Sequence, residues 1–267
     1  MKNIATVALA DDKRSYQKIL NGTRKPQKPI LVVVQLNIEK KLDEYVNDIA
    51  QGMVLPLGLT GKRRDYYYHL YDSKSKNVMA MKVKLIGQYS GASCPYCQLD
   101  TVSHIDHYLP RSIFPELSIS MQNLLMSCDI CNSKHKMELW GNGNAQEVIH
   151  PRYNQLPSAT YLEATVAYVS NSLVVDFNIR PGLSVSPLLQ RHFTLMNLKT
   201  RYKEKVTLNE VAKIRKILLS ESVQHKKIVR LQQFITDQIT VNSVNSWECA
   251  FYTALAPLVN QIAAGGL

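Results

Sequence analysis

The sequence predicts an α+β protein in which a short cysteine-rich segment is flanked by mostly helical regions. Three observations favour this class. Apolar residues recur with a helical period on both sides of the segment, two Cys-x-x-Cys pairs delimit it, and two β-rich runs follow it. With 267 residues, 45% of them hydrophobic, the chain is long enough to bury a sizeable core. We therefore divide it into an N-terminal helical region at 1–89, a core at 90–150, and a C-terminal hairpin and helical region at 151–267.

The N-terminal region is predicted to carry two helices. An apolar repeat between Leu31 and Ile49 predicts an amphipathic helix, and residues 77–89 have a similar pattern. The residues up to Pro29 are polar and contain turn formers, so we expect an irregular arm or short elements there. The stretch from Gly61 to His69 combines basic residues with three tyrosines. It is predicted to be a solvated loop, with a nucleic-acid contact surface as the alternative.

The C-terminal region is predicted to begin with a β-hairpin and to continue as helices. Two β-rich runs, Tyr161–Val169 and Leu173–Ile179, are joined by a short polar turn. Ser186-Pro187 predicts a helix start, with Ser186 as the cap and Pro187 in the first turn. Thr207-x-x-Glu210 predicts a capping box that splits the helical pattern, and Asn245-x-x-Glu248 the cap of the last helix.

The chain is strongly basic, and the charge is unevenly distributed. It contains 32 Lys and Arg against 21 Asp and Glu, a formal net charge of +11. Such a balance predicts a polyanionic partner, most often nucleic acid, with an anionic membrane surface as the rival. Between Gln190 and Arg230 there are 11 Lys and Arg against three Glu. Lys213, Arg215 and Lys216 are our candidates for phosphate contacts in this stretch; a solvated basic surface or a dock for an acidic protein is the alternative.

The sequence predicts a cytoplasmic protein with no membrane partner. The first ten residues are followed at once by a run of four charged residues, which is unlike a secretory signal. The longest early apolar run, Ile30 to Val34, is far too short to span a bilayer. The apolar stretch that starts at Trp247 is interrupted by polar residues and a proline.

Four of the five cysteines form two close pairs, Cys94 with Cys97 and Cys128 with Cys131. Each pair makes a tight knuckle that supplies two thiolates, and two such pairs suit one tetrahedral Zn²⁺. Disulfides are the alternative, but without a secretory signal metal binding is the better interpretation. The fifth, Cys249, lies between aromatic neighbours and is predicted to be a buried, inert thiol.

The residues between and after the cysteine pairs complete a specific pattern. Asp106-His107-Tyr-Leu-Pro-Arg-Ser is followed by Phe-Pro-Glu, by Asn123-Leu-Leu and, after the last cysteine, by Asn132-x-Lys. In this order the segment resembles the HNH endonuclease family, the ββα-metal nucleases, over about 45 residues, a sixth of the chain. The resemblance implies a zinc-stapled ββα-metal core that hydrolyses phosphodiester bonds, most often in DNA, with a second, catalytic metal.

The resemblance also implies a role for each polar residue of the pattern. His107 is expected to be the general base, because an imidazole titrates near neutrality. Asp106 and Asn132 are expected to ligate the catalytic ion, and their oxygen atoms suit Mg²⁺ or Mn²⁺. Asn123 is expected to tie the loop together and aim the base, with no direct part in the chemistry.

Several residues near the pattern are candidates for nucleic-acid contacts. Lys134 and Lys136 follow the second cysteine pair, near the positive end of a predicted helix, and could hold phosphates. A solvated helix face is the alternative for both. Arg111 lies in the loop after the Asp106-His107 strand and is a third candidate. His104 is expected to pack on the zinc knuckle, with a metal or phosphate contact as the less favoured interpretation.

Together these residues predict a metal-dependent DNA endonuclease. The overall plan is loosely similar to bacterial HNH effectors of anti-phage defence, such as the nuclease subunit of Septu-type systems, which works with an ATPase. That likeness implies a defence role and an ATPase or other defence subunit as partner. The alternatives are a non-catalytic zinc-stapled module that binds nucleic acid or protein, and an RNA-directed nuclease toxin. A binding module has no need for Asp106, His107 and Asn132 together, whereas the basic residues do not distinguish DNA from RNA.

Overall fold

A computed structural model describes residues 3–22, 28–142 and 145–267. Helices and small two-stranded sheets make up this part of the chain, which confirms the α+β class. The chain divides into two compact units, Lys2–Gln155 and Leu156–Leu267, called here the N-terminal and C-terminal units. The boundary predicted between residues 89 and 90 falls inside the N-terminal unit, so the first helices and the cysteine-rich segment belong to one body.

The N-terminal unit combines helices with two small antiparallel sheets. Its described helices are α1 (Leu9–Asn21), α2 (Lys28–Gln51), α3 (Gly61–Leu70) and α4 (Lys76–Tyr89). Its strands are β1 (His104–His107), β2 (Leu124–Ser127), β3 (Gly141–Asn142) and β4 (Ala145–Gln146). β1 pairs with β2, and Asp106 lies opposite Leu125. A π-helical turn, Ile130–Lys136, follows β2 and contains Cys131, whereas Cys94 and Cys97 lie in a turn before β1.

Buried hydrogen bonds attach the first two helices to the loop that precedes β2. The carboxylate of Asp12 in α1 accepts from the Met121 amide at 2.6 Å and from the Ser120 hydroxyl at 2.7 Å. Tyr45 in α2 donates its hydroxyl to Asn123 at 3.0 Å. Because these polar groups are all buried, each contact also satisfies a group that would otherwise destabilise the core.

Two N-terminal elements differ from the sequence prediction. α1 is a helix of 13 residues where an arm or short elements were expected, and it buries Tyr16, Ile19 and Leu20. These three positions share one face, but the charged residues around them hide the pattern in the sequence. The basic stretch from Gly61 is the helix α3 and not a loop, because it buries Tyr67 and Leu70 on one face while its cations stay at the surface.

The C-terminal unit contains the predicted hairpin followed by helices. The strands are β5 (Leu162–Val169) and β6 (Ser172–Ile179), and the helices are α5 (Ser186–Leu195), α6 (Leu198–Lys205), α7 (Val211–Leu219), α8 (Gln224–Val241), α9 (Trp247–Leu255) and α10 (Val259–Gly265). Both turn residues, Ser170 and Asn171, have positive φ, as a two-residue hairpin turn requires. Throughout residues 3–22, 28–142 and 145–267, no helix has both the length and the apolarity needed to cross a bilayer.

Three predicted caps of the C-terminal unit are wrong. Ser186 is the first residue of α5, and its hydroxyl donates to the Arg180 carbonyl at 2.8 Å without capping the helix. A π-helical turn, Val206–Glu210, joins α6 to α7 without a break. There the Thr207 hydroxyl donates to a carbonyl of the preceding turn at 3.0 Å, so it does not cap the following helix. At α9 the cap is Ser246, whose hydroxyl accepts from the Cys249 amide at 3.0 Å. Asn245 instead accepts from the Tyr161 amide at 2.7 Å.

Candidate functional site

The four paired cysteines come together in one buried cluster. The Sγ atoms of Cys94, Cys97, Cys128 and Cys131 all lie within 4.8 Å of one another. All four are free thiols. Tetrahedral Zn²⁺ with Zn–S bonds of about 2.3 Å separates its sulfur ligands by about 3.8 Å. The Cys97 and Cys128 sulfurs are 3.8 Å apart. The donor set and its spacing therefore fit one zinc ion, and the cluster could hold it.

Backbone amides shape both knuckles around the sulfur atoms. In the first, the Leu99 amide donates to Cys97 Sγ at 3.4 Å, and Gln98 between them has a φ of 60°. In the second, the Cys131 amide donates to Cys128 Sγ at 3.5 Å. Hydrogen bonds among the four thiols lower the pKa of Cys97 and Cys128 and raise the pKa of Cys94 and Cys131. Amide donors to sulfur favour the thiolate form, which is the form that binds metal.

A buried polar chain connects the first knuckle to Asp106. Tyr96, which lies between the first two cysteines, donates its hydroxyl to Asp106 Oδ2 at 2.8 Å. Lys136, at the end of the π-helical turn, places Nζ 3.1 Å from Asp106 Oδ1 and 2.8 Å from the His107 carbonyl oxygen. The Lys136 side chain is 0% exposed and the Asp106 side chain 3%. Both carboxylate oxygens are therefore engaged inside the protein.

This arrangement differs from the sequence prediction for two residues. Lys136 was expected to reach nucleic-acid phosphates, but its ammonium is buried and neutralises Asp106. Asp106 was expected to ligate the catalytic ion, but its oxygens accept hydrogen bonds from Tyr96 and Lys136. The physical reason is that a buried carboxylate needs a nearby positive charge, and Lys136 supplies it. Each Asp106 oxygen accepts one hydrogen bond in the described geometry, and the role of Asp106 as a metal ligand stays a prediction.

His107, at the end of β1, is neutral and is held in one tautomer. Its Nε2 lies 2.9 Å from the Ser118 carbonyl oxygen. Because a carbonyl oxygen only accepts, Nε2 carries the proton and Nδ1 keeps the lone pair. Burial lowers the pKa of His107 to about 4, so the imidazole is neutral at pH 7. The ring of Tyr71 packs against it edge-on, with ring centroids 4.5 Å apart.

Asn123 is a structural bridge in the loop between the two strands. Its Oδ1 accepts from the Leu109 amide at 2.8 Å and from the Tyr45 hydroxyl at 3.0 Å. Its Nδ2 donates to the Leu109 carbonyl at 3.0 Å and to the Leu117 carbonyl at 3.4 Å. With every polar atom engaged and no exposed surface, Asn123 holds the segment that follows His107 in place.

The other predicted residues of this region lie nearer the surface. Asn132 is half-buried, one helical turn before Lys136, and Lys134 is exposed. Arg111 is half-buried and pairs with Asp72 at 2.7 Å. His104 is exposed; its Nδ1 lies 2.9 Å from the Ser103 hydroxyl, and its Nε2 lies 3.8 Å from the carboxylate of Asp129 in the second knuckle.

The candidate basic residues of α7 do not form one uniform cationic face. Lys213, Arg215 and Lys216 are all exposed. However, Lys213 Nζ lies 2.9 Å and 3.0 Å from the two carboxylate oxygens of Glu210. Arg215 donates to the carbonyl of Leu267 at 2.9 Å. Because it follows Lys213 by two residues, its side chain is rotated by about 200° around the helix axis from that of Lys213. Part of the charge counted in the sequence is therefore neutralised within the C-terminal unit.

Sequence reasoning named Arg111 but missed the tyrosines and the lysine that lie with it beside His107. Lys82 Nζ lies 3.8 Å from the centroid of the Tyr71 ring. The Arg111 guanidinium lies 4.6 Å from the centroid of the Tyr68 ring. Tyr68 and Tyr71 are three residues apart at the end of α3, a spacing that places them on one helix face. That spacing was the available signal, but their proximity to His107 depends on long-range packing.

Comparisons with known proteins show a distant similarity to a phage protein. The chain is 26% identical over 186 residues to protein ea31 of Escherichia phage lambda. The match covers 62% of this chain and 62% of ea31, so the chain spans less than two thirds of that relative's length. No family model matches the chain. No solved structure matches it either.

Proposed function

We propose that this protein is an HNH-type endonuclease that hydrolyses phosphodiester bonds in DNA, with His107 as the general base. The observation that carries the proposal is the state of the imidazole. Its Nε2 proton is fixed on the Ser118 carbonyl, its Nδ1 lone pair can accept a proton, and its low pKa keeps it neutral. The cysteine cluster and the strand–strand–turn order around His107 support the proposal.

In the proposed reaction Nδ1 of His107 takes a proton from water as the water oxygen attacks phosphorus. The bond from phosphorus to the leaving oxygen breaks, and that oxygen takes up a proton. The negative charge that develops on the phosphate needs a cation nearby. A bound Mg²⁺ or Mn²⁺ would supply such charge stabilisation. The residues that would hold this ion are Asp106 and Asn132, and in the structure the two Asp106 oxygens accept hydrogen bonds from Tyr96 and Lys136.

The test is nicking of supercoiled plasmid by the zinc-loaded chain, with Mg²⁺, with Mn²⁺ or with no added divalent ion. His107→Ala should lower the cleavage rate by about 10²–10⁴, the usual cost of losing a general base. His104→Ala is the matched control, because His104 lies on the same strand but is exposed and outside the proposed chemistry. Full activity in His107→Ala would show that the assignment is wrong, and the arm without an added ion reports the requirement for a second metal.

A second candidate is a non-catalytic module that binds nucleic acid or protein. It is favoured by one observation: the candidate metal ligand Asp106 is buried and paired with Lys136. Under this function the wild-type protein would bind nucleic acid or a protein but cleave no substrate with any ion.

Parallel assays on plasmid DNA and single-stranded RNA also separate a DNA nuclease from an RNA-directed toxin.

We also propose a biological setting, an effector nuclease of bacterial defence that acts in the cytoplasm with an ATPase or other defence subunit. The support is the loose likeness of the overall plan to Septu-type nuclease subunits. The measurement is the plating efficiency of phages on cells that carry the wild-type gene with its neighbouring genes, against cells carrying His107→Ala. Equal plating efficiency across a broad phage panel would contradict the defence role.

A further inference from the structure

A half-buried cluster of cations and tyrosines lies beside His107. Tyr71 contacts the imidazole edge-on, and Lys82 from α4 lies over the Tyr71 ring with Nζ 3.8 Å from its centroid. Arg111, in the loop after β1, lies over the rings of Tyr68 and Tyr71 at 4.6 and 5.5 Å. The end of α3, the helix α4 and the loop after β1 therefore converge on the proposed base.

The charges of this cluster are only partly balanced. Arg111 pairs with the exposed carboxylate of Asp72 at 2.7 Å. Among the residues that the structure describes, no carboxylate lies within ion-pair distance of Lys82, whose contact is the Tyr71 ring. Burial lowers the pKa of Lys82 and raises that of Tyr71 to about 12. A partly desolvated ammonium on an aromatic face gains from an incoming anion.

We propose that Tyr71, Lys82 and Arg111 form a phosphate-binding site that holds the nucleic-acid backbone next to His107. This inference rests on the proposed nuclease function and adds the substrate contact that the function needs. Lys82 acts as a point charge, and the Arg111 guanidinium can present two N–H groups to phosphate oxygens. Tyr71 is a positioning residue, because its ring touches both His107 and Lys82.

The test measures binding of a labelled DNA duplex by fluorescence anisotropy over a series of KCl concentrations. It uses the full zinc-loaded chain carrying His107→Ala, so that binding is measured without cleavage. Into this background Lys82→Gln and Arg111→Gln are introduced singly. Each lost phosphate contact should reduce the slope of log affinity against log salt by about 0.9, and should weaken binding about fivefold near 0.15 M salt.

Two matched controls keep the result interpretable. Lys84→Gln removes an exposed charge from the same helix, two residues from Lys82, and should leave the slope unchanged. Lys82→Arg keeps the charge and should keep the slope, which separates loss of charge from damage to the fold. Zinc content and circular dichroism of all variants should match the parent protein.

The outcomes distinguish a failure of the proposed phosphate-binding site from a failure of the proposed nuclease function. Wild-type affinity and slope in both Lys82→Gln and Arg111→Gln would overturn the site and leave the cluster a purely structural contact. Reduced slopes in a protein whose wild-type form cleaves nothing would support the site and reject the nuclease. The same series on an RNA duplex decides the substrate: an effect confined to RNA would support the site but overturn the assignment to DNA.

Discussion

Replacing Lys136 with methionine should destabilise the N-terminal unit by about 3–5 kcal/mol, the usual cost of breaking a buried ion pair from one side. The ammonium is fully buried and bonds Asp106 Oδ1 at 3.1 Å and the His107 carbonyl at 2.8 Å. Methionine has a similar volume, so the cavity contribution is small. Loss of the bond to the carbonyl accounts for about 1 kcal/mol. The remainder is the cost of a buried Asp106 carboxylate whose one remaining partner among the described contacts is the Tyr96 hydroxyl.

The assay is equilibrium urea unfolding followed by tryptophan fluorescence. The chain has two tryptophans, Trp140 in the N-terminal unit and Trp247 in the C-terminal unit, so a Trp247→Phe background reports the first unit alone. Lys134→Met, an exposed position of the same turn, is the control and should change stability by less than about 0.5 kcal/mol. Adding Asp106→Asn to Lys136→Met should restore part of the loss, since an amide carries no charge to bury. Equal stability of the two lysine variants, or no recovery in the double variant, would refute the reasoning.

Metal content, pH dependence and backbone conformation provide three more tests. Cys94→Ser should lose zinc by elemental analysis, whereas Cys249→Ser, outside the cluster, should keep the parent's content. Burial lowers the pKa of His107 from 6.5 to about 4, and only the neutral imidazole can act as the base. We therefore expect kcat/KM for cleavage to stay constant as the pH falls and to drop only near pH 4. A drop near pH 6.5 would contradict the role of His107. Met137, which follows the π-helical turn, is 55% exposed and has φ 44° and ψ −119°, a backbone conformation that glycine adopts more easily than other residues. Met137→Gly should therefore raise the free energy of unfolding by about 1 kcal/mol in the urea assay. Met137→Ala should not raise it.

Local patterns made part of the structure predictable. The spacing within each Cys-x-x-Cys pair forces a tight turn, and two such turns can place four thiols around one ion, so the cluster was readable from the sequence. The hairpin of β5 and β6 and the helices α2 and α4 were also predicted, because their apolar periods are long and uninterrupted. Each of these features is set by residues close to one another along the chain.

The parts that were missed depend on contacts between distant residues. Lys134 and Lys136 look equivalent in the sequence, yet only Lys136 faces β1. Its partner there, Asp106, lies thirty residues earlier in the chain. The π-helical winding of the turn decides which of the two side chains points inward, and the local sequence contains no pattern that predicts this winding. The contacts of Tyr71 and Lys82 with the region of His107 likewise arise only when α3 and α4 pack against the strand.

The position of Tyr96 has a consequence for how metal supply would act on the protein. One side chain belongs both to the knuckle that carries Cys94 and Cys97 and to the hydrogen-bonded environment of Asp106. Two sites that share such an element are thermodynamically linked, and the linkage is reciprocal. If the proposed nucleic-acid contact favours the present position of Asp106, binding of nucleic acid would raise the affinity of the cysteines for zinc, and chelation of zinc would lower the affinity for nucleic acid by the same factor. Zinc at the cysteines would then be an allosteric effector of the proposed nucleic-acid binding.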